Sequence, residues 1–376
     1  MKGILKYLKL LKNIKRIMRK KIVLDSYKNL HVMDLPKRVV VGKNVLLNIT
    51  KYLDSIVGNL NYVSIVTGPN IYRSLINRLV DHLEINYKVY IAKESTWSEL
   101  TKIEEKIVLD GLPDIIIGFG GGKSIDIAKL ISYRNGIPFV SIPTSPSHDG
   151  IASLFASIRG DKKAFSLRAN PPLLVLVELD IIANAPPRLI ASGVGDALAK
   201  FTAVADWRLS HEETGEYFGE YSSNLALMSA KLVLDKIEGI SQGDEYSIRT
   251  LMEALISTGV AAGIAGSSRP CSGSEHLFSH AMDIYVRSRS AYHGEQVGVG
   301  TIMMSFLHGF DWEGIKQAIE SVGGPTNYKE LRISREDVIL ALKMAKKVRP
   351  ERYTILNKYR MSHNFAEKIA RKTGVI

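Results

Sequence analysis

Three clusters of residues have the types and spacing that chemistry requires. The first is Gly118-Phe119-Gly120-Gly121-Gly122-Lys123-Ser124, which follows a short β-branched run and precedes a helical pattern. Glycines in such a turn let the backbone approach a diphosphate, and the start of the helix offers unpaired N–H groups at the positive end of its dipole. The loop fits neither common nucleotide fingerprint. A Walker A loop would need glycine where Ile117 stands, and GxGxxG counted from Gly118 and Gly120 would need glycine where Lys123 stands. It reads as a phosphate cradle that does not name its nucleotide, or, without a ligand, as a tight strand–helix turn.

The second cluster is Pro143-Thr144-Ser145-Pro146-Ser147-His148-Asp149-Gly150. It lies just past an expected strand, the edge at which open α/β sheets bind ligands. Thr144 and Ser147 offer hydroxyls to phosphate or amide groups, and Asp149 offers a carboxylate to hydroxyls. A polar turn is the simpler alternative. The third cluster is dispersed along the chain: Asp196 early in one helix, His276 and His280 four apart on one face of another, and His293 before Gly294-Glu295 at the start of a third. Carboxylate plus imidazole suits Zn²⁺ with a position left open for substrate, and other divalent metals use the same donors. Spacing alone leaves open whether both histidines of the pair are ligands. No glutamate follows His276, so the HExxH pattern is absent.

These residues need elements to hold them. Val63–Val66, Lys88–Ile91, Asp114–Ile117, Pro138–Ile142 and Leu173–Val177 are continuous apolar or β-branched runs, the pattern of strands buried on both faces. A further strand is expected in the segment that opens at Met33. Helical patterns between them, near Ile71–His82 and Trp97–Leu109 and from Ser124, imply a parallel sheet with right-handed crossovers. Ile151–Arg168 is less regular and reads as a hairpin. After Pro186-Pro187 the pattern becomes helical: Arg188–Leu209, Glu216–Ile237, Tyr246–Ala262, Glu275–Val286, Gln296–Phe310, Trp312–Val322 and Arg335–Lys347. The expected organisation is a basic extension over 1–32, an α/β nucleotide-binding domain over 33–190 and a helical metal- and substrate-binding domain over 191–376, with the site in the cleft between them.

With 376 residues, 45% hydrophobic and 23% charged, the chain has the composition of a globular protein. No uncharged apolar stretch approaches the roughly 18–20 residues of a membrane-spanning helix. The single cysteine, Cys271, excludes an intrachain disulfide framework and fits a cytoplasmic setting. The formal net charge of +12 suggests a polyanion partner until it is located. Residues 1–32 hold ten Lys/Arg against one acid, leaving 40 basic and 37 acidic residues in the remainder. The body is nearly balanced and has no basic stripe with interleaved aromatics, so nucleic acid is not expected as a partner. In the tail, Ile4, Leu8, Leu11, Ile14 and Met18 form an apolar stripe beside lysines and arginines, which suits peripheral contact with an anionic membrane. An inert tail, or translation from Met33, is the plainer reading.

Together, GFGGGKSIDIAK (118–129), PTSPSHDGIAS (143–153), SGVGDALAK (192–200), SRPCSGSEHLFSHAMD (268–283), AYHGEQVGVGT (291–301) and RPERYTIL (349–356) resemble the archaeal sn-glycerol-1-phosphate dehydrogenase family. Its wider relatives are glycerol dehydrogenase, iron-type alcohol dehydrogenases and dehydroquinate synthase. The resemblance runs from about Leu35 to Leu356 and implies a Rossmann-like α/β domain followed by an all-α domain. It implies Zn-assisted reduction of dihydroxyacetone phosphate to sn-glycerol 1-phosphate with NAD(H) or NADP(H), supplying the backbone of archaeal ether phospholipids, and a homo-oligomer. It assigns Gly122, Lys123, Ser124, Ile125 and Asp126, with Thr144, Ser145, Pro146, Ser147 and Ser153, to the cofactor. Asp196, His276 and His293 match metal ligands. Asp149, Asp196 and His280 match substrate-contacting and catalytic positions, so one histidine of the HLFSH pair binds metal and the other faces substrate.

One departure bears on the cofactor. Glycerol dehydrogenases of this superfamily carry an aspartate after the second strand to bind ribose hydroxyls, whereas this chain has Thr67-Gly68-Pro69-Asn70. An acid there would repel a 2′-phosphate, so use of both NADH and NADPH is expected. Lys200 and Arg269, close to the metal motifs, are the expected cationic partners of the substrate phosphate. A glycerol or polyol dehydrogenase is the alternative reading, and a dehydroquinate-synthase-like lyase a further one.

Overall fold

The computed structural model describes residues 31–159, 164–286 and 291–376. Apart from His31 and Val32, the basic extension lies outside these residues. Six strands form one parallel sheet: β1 (Arg38–Gly42), β2 (Tyr62–Thr67), β3 (Asn86–Ile91), β4 (Ile115–Gly120), β5 (Phe139–Pro143) and β8 (Leu174–Glu178), in the order β1-β8-β5-β4-β2-β3. Between β5 and β8 the antiparallel pair β6 (Phe155–Arg159) and β7 (Ala164–Arg168) forms the hairpin expected from the sequence. The strands depart from their expected limits by one to three residues, as strand ends commonly do.

The central strands are buried on both sides, and their alternation shows why they read as unbroken apolar runs. Ile115, Ile117 and Phe119 of β4 face one apolar cluster with Ile49, Leu53 and Leu79, while Ile116 faces the other with Ile103, Ile127 and Ile131. A large-to-small change at such a position costs about 2–5 kcal/mol. The second cluster continues from beneath the sheet into the helical part, reaching Leu255, Leu277, Met303 and Ile339. The α/β and helical parts therefore share one apolar core.

Helices α1 (Ile49–Val57), α2 (Pro69–Ser74), α3 (Asn77–Val80), α4 (Trp97–Asp110) and α5 (Gly122–Asn135) accompany the sheet. The helix expected over Ile71–His82 is interrupted, as α2 and α3. After the short α6 (Leu179–Ala183), the chain forms α7 (Pro187–Leu198), α8 (Lys200–Thr214), α9 (Glu220–Asp235), α10 (Ile237–Ser241), α11 (Glu245–Ala265), α12 (Ser274–Tyr285), α13 (His293–His308), α14 (Trp312–Ser321), α15 (Arg335–Val348) and α16 (His363–Lys372). Among the described residues no strand follows β8. The single helix expected over Arg188–Leu209 is interrupted at Ala199, and α6 and α16 were not anticipated. Helix α11 is long and apolar enough to cross a membrane by length and composition, but most of it is buried in the core.

Strand order explains where a ligand enters. The chain leaves β2 toward β3 at one edge, then returns past β2 to β4 on its other side. The reversal opens a crevice between the carboxyl ends of β2 and β4. Gly68 follows one strand and Gly121 the other.

Candidate active site

The cleft above this crevice has a volume of about 630 Å³, within the range of small-molecule and cofactor sites. Its walls come from both parts of the chain: Gly121–Ser124, Thr144, Ser145 and Ser147–Gly150 on one side, His276, His280 and His293 on the other.

The glycine turn ends in a helix start with no side-chain cap at Gly121, so the first N–H groups of α5 remain available to an anion. Gly122 has no room for a side chain, because a methyl group there would fall 1.9 Å from His148 Nε2. His148 Nδ1 accepts from the Gly150 N–H at 2.9 Å, which places its proton on Nε2 beside the turn. This second donor lies within a motif singled out by sequence, but the residue itself was overlooked. Ser124, Asp126, Thr144, Ser145, Ser147 and Ser153 all line the cleft. Lys123 lines it too, with its ammonium donating to the Lys93 carbonyl at 2.6 Å. Ile125 and Pro146 do not line it. Ile125 is fully buried in the core, and Pro146 turns its carbonyl toward α7, so either can contribute only through backbone groups. Asp126 is pushed up by burial against the pull of Lys129, and it accepts from the Ser157 N–H at 3.0 Å.

Across the cleft, Asp196, His276 and His293 converge from α7, α12 and α13, and one donor atom from each lies within 4.8 Å of the others. Asp196 Oδ1 stands 3.5 Å from His276 Nε2. The surroundings prepare each imidazole for a metal. His276 Nδ1 pairs with Glu275 Oε1 at 2.7 Å, leaving Nε2 facing Asp196. Glu275 is itself held by the Gly273 N–H at 2.6 Å and the Thr202 hydroxyl at 2.7 Å. His293 Nδ1 lies 3.2 Å from Ser279 Oγ, whose own proton goes to Gln296 Oε1 at 2.7 Å. The serine can then only accept, so His293 carries its proton on Nδ1 and keeps an Nε2 lone pair. Burial, then the neighbouring His276, push His293 down to about 3, which keeps it in the ligand form. Carboxylate-supported imidazoles of this kind are the usual outer arrangement of metal sites, and the donor set fits a divalent cation.

His293 is fixed at the start of its helix by Glu295, which accepts from the Tyr292 N–H at 2.7 Å and from Arg188 Nε and Nη2 at 2.8 and 2.7 Å. His280 points into the same cleft. It is buried, its Nδ1 has no hydrogen-bond partner among the described residues, and burial followed by the charge of Arg349 holds it well below the usual histidine range.

Lys200 and Arg269 are committed elsewhere, contrary to the expectation that they hold phosphate. Lys200 is fully buried and bridges Asp149 Oδ2 at 2.9 Å and Asp196 Oδ1 at 3.0 Å. Those two carboxylates outweigh the cost of burial and raise its pKa. The Asp149 N–H also donates to Asp196 Oδ2 at 2.8 Å, so one network joins the β5 loop to the candidate metal ligands. Arg269 pairs with Glu216 and donates to the Tyr353 carbonyl at 2.8 Å. Glu275 and the bridge through Lys200 were not anticipated, although Asp196 and Lys200 are four apart on a helical pattern and Glu275 adjoins His276.

Comparison with known proteins bears on the same cleft. Residues 40–186 match the family model described as iron-containing alcohol dehydrogenase. A glycerol-1-phosphate dehydrogenase of Hyperthermus butylicus, described as using NAD(P)+, is 45% identical over 349 residues, covering 92% of this chain and 99% of that protein. The Pyrococcus furiosus protein of the same description is 46% identical over 353 residues, covering 92% of this chain and all of the relative. Among solved structures, a probable glycerol dehydrogenase from Sinorhizobium meliloti superposes with a TM-score of 0.75 at 20% identity, over 92% of this chain and 98% of that one. At that identity the likeness concerns the fold.

Proposed function

The chain belongs to the glycerol-1-phosphate dehydrogenase family of NAD(P)-dependent oxidoreductases, and from that membership we propose that it reduces dihydroxyacetone phosphate to sn-glycerol 1-phosphate with zinc assistance. The observation that carries the reading is the junction of two sites in one cleft. A helix start suited to a dinucleotide diphosphate faces a carboxylate–imidazole trio suited to a divalent metal. The division into domains at about residue 190 follows the same functional split, cofactor before it and metal after it.

Asp196, His276 and His293 are the ligands in this reading, with Glu275 and Ser279 orienting the imidazoles. A bound zinc ion would polarise the substrate carbonyl and favour charge at its oxygen, and a bound nicotinamide would supply the hydride. The protein's own groups do the rest. The α5 start, the hydroxyls of Thr144, Ser147 and Ser153, and His148 Nε2–H hold the cofactor. Asp149, held by Lys200, accepts from a substrate hydroxyl and fixes its orientation. His280, neutral and with Nδ1 free, moves the proton exchanged with the substrate oxygen, a task suited to histidine. The product would be a precursor of ether-lipid backbones, which supports a cytoplasmic enzyme with peripheral membrane contact.

Two variants separate these roles. His276→Ala should lose both metal and activity, measured by metal content after dialysis and by NADPH consumption with dihydroxyacetone phosphate. His280→Ala should keep the metal and lose most turnover. Full activity of metal-stripped His276→Ala would remove the metal from the reading.

A further inference from the structure

We propose that Arg349 receives the phosphate of the substrate. The inference rests on the reading of the substrate as a glycerol phosphate and names the residue that would select it. Among the described residues, three lysine or arginine side chains line the cleft: Lys123, Arg159 and Arg349. Lys123 and Arg159 adjoin each other at the cofactor end, where each opposes the other's charge. Arg349 stands at the metal end, where its charge acts on His280. Lys200, the other cation near the trio, is neutralised by Asp149 and Asp196.

The surroundings of Arg349 are short of negative charge. It has no hydrogen bond or ion pair among the described residues, and burial lowers its pKa against the pull of Glu351 alone. Arg352 lies close by, with Arg269 on its other side. Burial, then the charges of these other two arginines, push Arg352 down to about 9. Among the described residues, only Glu216 forms an ion pair with any of the three, through Arg269. Such an excess of guanidinium charge at a cleft wall is relieved by an anion, and the planar guanidinium matches a phosphate with two parallel hydrogen bonds.

The segment is also held firmly enough to position the group. Arg352 donates to the Ser272 carbonyl and to Ser268 Oγ at 2.8 Å, and both serines line the cleft. The Ile355 N–H donates to Asp206 at 2.6 Å, and the same carboxylate accepts from the Ser274 N–H at the start of α12. Arg349 is thus tied to the helix that carries His276 and His280. As a specificity residue it would discriminate phosphorylated from unphosphorylated substrate.

The test uses the full chain loaded with zinc and compares wild type, Arg349→Met and Arg349→Lys. Arg349→Met should raise KM for dihydroxyacetone phosphate by about tenfold to a hundredfold, the usual loss for hydrogen bonds to a charged group. Arg349→Lys should fall between the two. KM for NADPH should stay at its wild-type value, and the loss in kcat/KM for unphosphorylated dihydroxyacetone should be far smaller than that for dihydroxyacetone phosphate. Inorganic phosphate supplies a readout independent of turnover: with NADP+ saturating, it should raise the Tm of wild type and not of Arg349→Met. An unchanged KM for dihydroxyacetone phosphate, an equal loss with dihydroxyacetone, or equal protection of both proteins by phosphate would overturn the assignment. If wild type ignored dihydroxyacetone phosphate while phosphate protection still depended on Arg349, the substrate reading would fall and the anion site would stand.

Discussion

At the scale of single residues, the site depends on groups that touch neither substrate nor cofactor. Glu275 fixes His276 with Nε2 turned toward Asp196, and burial, which would raise its pKa, is outweighed by the combined pull of His276, the Gly273 N–H and the Thr202 hydroxyl. Glu275→Gln keeps the shape and removes the charge. It should weaken metal retention by about 10–100-fold, the common effect of losing such a partner, measured by competition with a chelator. Unchanged retention would mean that the trio holds its metal without this support. Asp196, His276, His280 and His293 were all visible as residue types at suggestive spacings. Which histidine of the 276/280 pair joins Asp196 was not legible from spacing, because both lie on one face of α12; only the family resemblance assigned His276. The distinction comes from Glu275 on one ring and an unpartnered Nδ1 on the other. Arg349 was hidden for a different reason: an arginine in an irregular segment has no periodicity to mark it, and only the fold shows that its charge is uncompensated.

At the scale of elements, close backbone contact joins the two sides of the cleft. A methyl group at Gly193 of α7 would fall 1.7 Å from the Pro146 carbonyl oxygen, so this helix packs directly on the β5 loop that carries Ser147 and Asp149. Gly193→Ala must push the two apart. It should cost about 1–3 kcal/mol of stability, as overpacking does, and raise KM for the cofactor, read by denaturant unfolding and steady-state kinetics. A variant with wild-type stability and KM would show that the contact yields freely. The parallel sheet was legible because strands buried on both faces leave unbroken Val/Ile/Leu runs, as in β4 and β8, and the hairpin was legible because Ile151–Arg168 breaks that pattern. The glycine loop was legible because the turn needs its backbone bare. Helix limits were less so: nothing in the periodicity of Arg188–Leu209 marks the interruption at Ala199, and α16 lies in a polar tail segment where burial of Ile369 and Ala370 is decided by distant partners. The expectation that Lys200 and Arg269 serve phosphate failed because proximity in sequence to a metal motif says nothing about the carboxylates the fold supplies.

For the whole molecule, the charge of +12 divides into a basic extension and a nearly neutral body, and the body uses its charge locally. One part of the cleft presents a helix start with Lys123 and Arg159, another presents Arg349, and the candidate metal ligands His276 and His293 line the same cleft beside Asp196. A substrate with a phosphate at one end and a reducible carbonyl near the metal suits that arrangement, and a dinucleotide suits the opposite wall. Gly68-Pro69-Asn70 after β2 brings no acid to the cofactor pocket, so a 2′-phosphate meets no carboxylate at that turn. The most direct test of the central claim is oxidation of the two glycerol phosphate enantiomers by the zinc-loaded protein, each with NAD+ and with NADP+. The account predicts hydride transfer from sn-glycerol 1-phosphate to both cofactors, with sn-glycerol 3-phosphate and glycerol far slower. Equal or faster oxidation of sn-glycerol 3-phosphate, or of free glycerol, would contradict it.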